Sequence, residues 1–305
     1  MHVTRNGHGR VGAGVAIAVA GAMLVVAGAG AGADTYTADV ERWRAEREAA
    51  LKTDDGWLTV AGLFWLRPGL NRAGTDPSND IVLPEGTAPA RLGVFEFDGA
   101  RAVFQAEPGT GVHQNGVPVG RVEMGYLTPP TQIAVRDLTM FVIRRGERYG
   151  VRLRDRNSAM RREFKGLRWH PVDPAYRVVA QFVAYPEPKT IPVPNILGDT
   201  PEMTSPGYVE FTLAGQALRL EPVFDGADAH ELFFIFGDQT NGLETYPSGR
   251  FLYAALPESG QVVLDFNKAE NPPCAFTPFA TCPLPPKQNR LPVRVEAGEL
   301  SYGHH

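Results

Sequence analysis

The chain of 305 residues reads as an all-β protein, two packed β-rich units preceded by one N-terminal helix. Three observations predict this class. From Trp57 onward, short runs rich in Val, Ile, Leu, Phe and Tyr recur, each closed by Gly, Pro, Asn or Asp, the spacing of strands and turns in a sandwich or barrel. The 33 glycines and 26 prolines supply those turns. No amphipathic helices alternate with the strands, which argues against a parallel sheet.

The one helix is expected over residues 34–55. Val40, Trp43, Arg47 and Leu51 recur at steps of three or four among Glu41, Arg42, Arg44, Glu46 and Glu48, which sets an apolar stripe against a charged face. Asp54-Asp55-Gly56 stops it. The first β unit, a sandwich, then spans residues 56–158, with strand patterns at 57–64, 92–97, 102–106, 132–135, 140–144 and 151–153. The second spans 159–305, with patterns at 177–184, 208–213, 216–222, 231–236, 251–254, 262–266 and 293–295. Between its first two strands, Pro186, Pro188, Pro192, Pro194, Pro201 and Pro206 predict an extended crossing or surface loop over 185–206.

Ahead of the helix, Arg5 and Arg10 precede an uncharged Ala/Val/Gly stretch from Val11 to Ala33, and Ala31-Gly32-Ala33 has the small-x-small form of a cleavage site. Residues 1–33 are therefore expected to be a signal peptide. Cleavage would leave a soluble protein in the cell-envelope exterior or secreted, with no membrane partner. The alternative is an uncleaved anchor, since the stretch approaches the ~20 residues that cross a bilayer.

A net charge of −4 with 43% hydrophobic residues describes an ordinary globular chain, without the excess positive charge a nucleic-acid binder uses to displace counterions from phosphates. Nucleic acid is not expected as a partner. Locally the balance reverses. Residues 144–168 hold ten basic side chains against Glu147, Asp155 and Glu163, either an attractor for an anion or a solvated strand face.

No nucleophile elbow, zinc-binding helix, phosphate loop or dinucleotide fingerprint occurs in its required context. His113 and His170 are isolated, and two cysteines without nearby histidines make a poor metal site. No cofactor and no metal are expected. Cys274 and Cys282, with seven residues between them, are expected to form a local disulfide that rigidifies a Pro-rich loop. Two buried free thiols or a reactive thiol are the alternatives.

The polar signals concentrate in the last third. Gly237-Asp238-Gln239-Thr240-Asn241-Gly242 and Tyr246-Pro247-Ser248-Gly249-Arg250 are turns, while Asp265-Phe266-Asn267 ends a strand and feeds the loop that reaches Asn289-Arg290. If these gather at one sheet edge, Asp238, Thr240, Tyr246, Arg250, Asp265, Asn267, Asn289 and Arg290 form one ligand-binding cluster. Arg250 or Arg290 would clamp a carboxylate or phosphate, and Tyr246 would offer a donor and an apolar face. The competing structural roles are Asx capping by Asp265 and Asn267 and an Arg–Asp pair stitching loops together. No catalytic residue can be assigned from spacing. The expected function is binding of a small polar or anionic molecule in the second unit. The alternatives are a hydrolase-like enzyme with Asp265 as general base and Arg250 as charge stabiliser, and a protein-interaction module.

The segment from Gly56-Trp57-Leu58-Thr59-Val60 to Phe64-Trp65-Leu66, the two turn motifs, and above all Asn271-Pro272-Pro273-Cys274 through Cys282-Pro283-Leu284-Pro285-Pro286 to Asn289-Arg290-Leu291 resemble the bacterial family known as domain of unknown function 1684 over roughly residues 40–300. That resemblance implies no activity. In the first half, Gly74-Thr75-Asp76-Pro77-Ser78-Asn79, Pro89-Ala90-Arg91-Leu92-Gly93 and Val112-His113-Gln114-Asn115-Gly116 are similar in order to forkhead-associated domains. This implies a sandwich scaffold, on which the protein-interaction alternative rests, rather than phosphothreonine binding. Thr75 stands where that family's phosphate-clamping Arg follows Gly, and its Ser-x-x-His is missing.

Overall fold

A computed structural model describes residues 26–226 and 229–303. Helix α1 (Val26–Leu51) carries the predicted stripe: Val40, Arg44 and Leu51 are buried, with Trp43 and Arg47 half-buried on the same face. It docks on the second unit. Trp43 meets Trp169 edge to face with centroids 5.8 Å apart, the Arg44 guanidinium lies over that ring, and Glu48 Oε1 accepts the Leu167 amide at 2.7 Å. After the helix the chain doubles back tightly, and a Cβ on Gly56 would stand 2.3 Å from the Leu51 carbonyl oxygen, so no larger residue fits. The expected signal peptide lies outside the described residues for 1–25, while Val26–Ala33 belong to α1. Among the described residues no helix is long and apolar enough to cross a membrane.

The first unit is built from β1 (Val60–Trp65), β2 (Gly69–Gly74), β3 (Ile81–Val82), β4 (Gly93–Phe97), β5 (Ala102–Ala106), β6 (His113–Gln114), β7 (Val117–Pro118), β8 (Arg121–Glu123), β9 (Gln132–Val135), β10 (Leu138–Arg145) and β11 (Arg148–Asp155). One sheet has the order β1-β11-β10-β9-β6-β7 and the other β3-β2-β4-β5-β8. Both contribute to one core. Phe95 and Phe104 pack 4.7 Å apart in a cluster with Met140, Val142, Val151 and Leu153. Because side chains alternate along a strand, burying Tyr149, Val151 and Leu153 in that core sends Arg148, Arg152 and Arg154 to the opposite face. That face abuts the second unit, where Arg145 Nε donates to Thr281 Oγ1 at 2.9 Å and Thr277 Oγ1 donates to the Val60 carbonyl at 2.9 Å.

The short helix α2 (Ala159–Arg162), capped by Ser158, marks the passage to the second unit. There β12 (Arg177–Pro192), β13 (Glu202–Leu213), β14 (Gln216–Leu220), β15 (Glu231–Phe236), β16 (Arg250–Ala255) and β17 (Gln261–Asp265) form a sheet of order β14-β13-β12-β17 and a β15-β16 pair. Phe234, Phe236, Leu252, Leu264, Phe266 and Val295 share the core of this unit.

Two expectations need correction. Residues 185–206 are not a loop throughout: Lys189–Pro192 pair with Glu202–Ser205, and Pro186 and Pro188 fall in the register shift between Ala184 and Lys189, where the ladder asks nothing of their missing N–H. Residues 293–295 are not a strand. The carbonyl of Val295 is taken by a guanidinium instead of a neighbouring ladder.

Candidate functional site

The eight residues expected to form one cluster are not gathered together: six fall in three separate nodes, Tyr246 lines a cleft and Arg290 is exposed. In the first, Asp238 follows β15 and Arg250 begins β16, and both side chains are fully buried. Arg250 Nη2 donates to Asp238 Oδ2 at 2.7 Å and to the Val295 carbonyl at 2.8 Å, while Nη1 donates to the Ala297 carbonyl. Asp238 Oδ1 accepts the Thr240 amide and hydroxyl at 2.8 and 2.6 Å, and Thr240 Oγ1 meets Thr245 Oγ1 at 2.7 Å. Burial lowers the basicity of Arg250, and Asp238 opposes that by favouring the charged form. This ion pair ties residues 293–297 to the ends of β15 and β16.

The second node stands at the end of β17. Asp265 Oδ1 accepts the Tyr36 hydroxyl at 2.7 Å and the Asn267 amide at 3.2 Å. Asn267, fully buried, donates through Nδ2 to Tyr36 Oη and the Asp173 carbonyl and accepts the Asp173 amide. Burial, followed by the Asp265 carboxylate, pushes the Tyr36 phenol well above its ordinary range. These are capping and stitching roles. Among the described residues no hydrogen bond or ion pair joins Arg250 to Asp265. Arg250 lies over the Phe236 ring at 5.3 Å, and Phe236 packs on Phe266 at 5.5 Å, so the hydrocarbon core lies beside the guanidinium. The pairing of Asp265 as base with Arg250 as charge stabiliser is not assembled.

Asn289 forms the third node: it donates to the carbonyls of Glu221 and Ile235 at 2.8 and 3.0 Å and accepts the Glu221 amide at 2.8 Å, locking the loop against β14 and β15. Arg290 is exposed. The expected disulfide is absent. Cys274 and Cys282 are free thiols, and the Cys274 amide donates to Cys282 Sγ at 3.1 Å, so the loop is closed by a hydrogen bond where a covalent link was expected. The hydrogen bond with Cys282 lowers the Cys274 thiol, and the same contact with burial raises Cys282.

Of the eight, Tyr246 lines an open cleft of about 620 Å³, with Arg168, Glu244, Ser248 and Tyr302 around it. Its walls are held from behind. Asn241 Nδ2 donates to Thr245 Oγ1 and to the Tyr246 carbonyl, and Tyr246 Oη donates to the Cys274 carbonyl at 3.1 Å. The Ser301 amide donates to the Glu244 carbonyl and the Leu300 amide to the Arg168 carbonyl, both at 2.9 Å, which fixes the strap at residues 300–302 across the turn at 242–248. Glu244 also pairs with Arg294 and stands 3.8 Å from His170 Nε2. Burial, and then the charge of Arg250, holds that imidazole below its usual range. The cleft thus presents a cation, a carboxylate, a hydroxyl and two phenol rings on a rigid base. Arg168, Glu244, Ser248 and Tyr302 were not among the expected residues. Ser248 and Glu244 sit in or beside the two turn motifs, but nothing in the sequence indicates that the C-terminal residues return to cover them.

Next in sequence to Leu300, which also lines the cleft, Glu299 belongs to a buried acid pair that sequence reasoning missed. Arg47 Nε from α1 stands 3.0 Å from Glu299 Oε1 and 3.2 Å from Glu270 Oε2. Arg47 Nη2 donates to the Asn271 carbonyl, and the Asn271 amide donates to Glu299 Oε2 at 2.8 Å. Two carboxylates share one guanidinium. Burial pushes Glu270 up to about 7 against the pull of Arg47, and burial raises Glu299 as well. The available signal was Glu270 itself, placed just before the Asn271-Pro272-Pro273 motif.

Among curated proteins none matches this chain. Solved structures similar to it include an uncharacterized protein and an FHA domain. The solution NMR structure of an uncharacterized protein from Haloarcula marismortui is 32% identical over 48% of this chain and 81% of that one, with a TM-score of 0.41. A structure of an FHA domain with phosphothreonine-dependent interactions is 18% identical over 30% of this chain and 92% of that one, with a TM-score of 0.23. The family model described as "Protein of unknown function (DUF1684)" matches residues 162–300, which hold both turn motifs and the Pro-rich cysteine loop, and this segment belongs to that family.

Proposed function

We propose that this is an exported binding protein for a small polar molecule, held in the cleft between the turn at residues 242–248 and the strap at 300–303. The observation that supports this reading is the composition of the walls. Arg168 and Glu244 offer opposite charges, Ser248 a hydroxyl, and Tyr246 and Tyr302 flat apolar faces, the mixture that orients a small ligand while excluding water from part of its surface. The base does not need to reorganise, because Thr245 and Tyr246 are held by Asn241 and Tyr302 packs on Phe276 at 5.0 Å. Preorganisation of this kind lowers the entropic cost of binding. Export rests on the basic leader and the apolar stretch that follows it.

A thermal-shift screen of the full chain over zwitterionic, anionic and neutral metabolites tests the binding reading. A ligand that raises the melting temperature should lose its effect in Ser248→Trp, which fills the cleft, and in Arg168→Ala, while Arg91→Ala in the first unit retains it. Stabilisation that survives Ser248→Trp would remove the cleft from consideration.

A further inference from the structure

A second cavity, of about 530 Å³, opens on the first unit beside its seam with the second, lined by Tyr126, Phe141, Arg144, Arg145 and Arg152. Its floor holds an unusual charge. Arg152 is 5% exposed, its Nε has no hydrogen-bond partner, and its one side-chain hydrogen bond is a long 3.5 Å contact to the Phe279 carbonyl. Its guanidinium lies over the Trp57 ring at 5.4 Å. Burial, and then the like charges of Arg145 and Arg154, lower its basicity to about 10, opposed by Cys282 and by no carboxylate.

A buried guanidinium without a counter-charge is costly, because desolvation is not offset by a paired anion. Several other arginines of this basic stretch are paired, Arg144 with Glu147, Arg148 with Asp199, Arg156 with Asp137 and Arg161 with Asp54, while Arg154, outside the cavity, lies over the Phe141 ring with Asp55 acting on it. Among the described residues Arg145 and Arg152 have no carboxylate within ion-pair distance, and Asp225 acts on Arg145 only from beyond it. The cavity therefore carries two positive charges without a direct counter-ion. Arg145 is anchored through Nε on Thr281 Oγ1 and through Nη1 on the Arg144 carbonyl, which leaves Nη2 without a hydrogen bond of its own.

We infer that this cavity is a binding site for a phosphate group, with Arg145 and Arg152 as its two clamps. A phosphate monoester carries close to two negative charges at neutral pH and several strong acceptor oxygens. That charge matches the two unpaired guanidiniums, whose planar forks suit oxyanions. The volume exceeds what a free phosphate ion fills, and the rings of Tyr126 and Phe141 wall the remainder, so the site accommodates a phosphate with a small organic body. The inference is independent of the cleft at Tyr246, which lies in the other unit.

Isothermal titration of the full chain with inorganic phosphate and with phenyl phosphate, in buffers of equal ionic strength made up with chloride, tests it. Both ligands should bind with one site per chain, and the organic ring should make phenyl phosphate the tighter of the two. Arg152→Met should weaken both at least about tenfold, the scale of losing charge-assisted hydrogen bonds. Arg145→Met, at the exposed rim, should weaken them as well and keeps the test open if the Arg152 variant fails to fold. Arg148→Met, outside the cavity and paired with Asp199, should bind as the parent does. Tighter binding of inorganic phosphate than of phenyl phosphate would overturn the organic body and assign the site to the free ion. Absence of binding by both ligands, or unchanged affinity in Arg145→Met and in a folded Arg152→Met, overturns the inference.

Discussion

Replacing Glu270 by Gln removes a charge from a place where the fold disfavours it. The carboxyl ordinarily titrates at 4.5 and is pushed up to about 7 by burial, with Glu299 adding to the effect and Arg47 opposing it. The folded state therefore binds this proton more tightly than the unfolded chain does. That preference favours folding fully below about 4.5 and disappears as pH rises through about 7. The ionised side chain then costs the native state about 3 kcal/mol, from roughly 1.36 kcal/mol per pH unit across the interval. Its side chain is 14% exposed, so solvent reaches it and the figure is an upper value. Gln carries no charge at any pH and keeps the volume. Urea denaturation of the parent and of Glu270→Gln should show the variant more stable at about pH 8, and the difference should close as the pH falls to about 4.5. If the variant is no more stable at the higher pH, or the gap does not depend on pH, the carboxylate is not destabilised by burial and the account of the Arg47–Glu270–Glu299 cluster fails.

Breaking the buried pair by Asp238→Asn or Arg250→Met should cost about 3–5 kcal/mol, since each leaves an uncompensated buried charge or its unpaired partners; the double variant should recover part of the loss in a denaturation cycle. Asn289→Ala strands the Glu221 amide and two carbonyls, and should lower stability by about 2–3 kcal/mol in the same assay. Titration of the unfolded protein with a thiol reagent, without reductant, should return two free thiols. In the folded protein Cys274, half-buried with a lowered thiol, should react before Cys282, which is 4% exposed. A chain with no titratable thiol would restore the disulfide.

Legibility differed between fold and site for a physical reason. Strands at 132–135 and 231–236 and the helical stripe through Val40, Trp43 and Leu51 follow from local alternation and periodicity, signals that each segment carries alone. The turn motifs were equally visible as turns. Their partners were not. Asp238 and Arg250 read as ligand groups because nothing local shows that the carbonyls of Val295 and Ala297 will arrive to receive the guanidinium. Asp265 and Asn267 read as a strand-end site, while the hydroxyl that occupies them comes from Tyr36, more than two hundred residues earlier. The basic run at 144–168 showed an excess of charge, but its division into paired and unpaired arginines depends on acids as far away as Asp54 and Asp199.

What the sequence determined by itself is the β-rich class, the helix before the first strand with its buried face, and the turns in which polar side chains concentrate, because these depend on backbone preferences and on side-chain alternation between neighbours. What only the tertiary structure decided is which of those polar groups are satisfied inside the protein and which remain for a ligand. Hydrogen bonds and ion pairs are made with whatever the fold brings within about 3 Å, and those partners come from distant parts of the chain. Arg250 was consumed in that way, and Arg152 was left without a counter-charge.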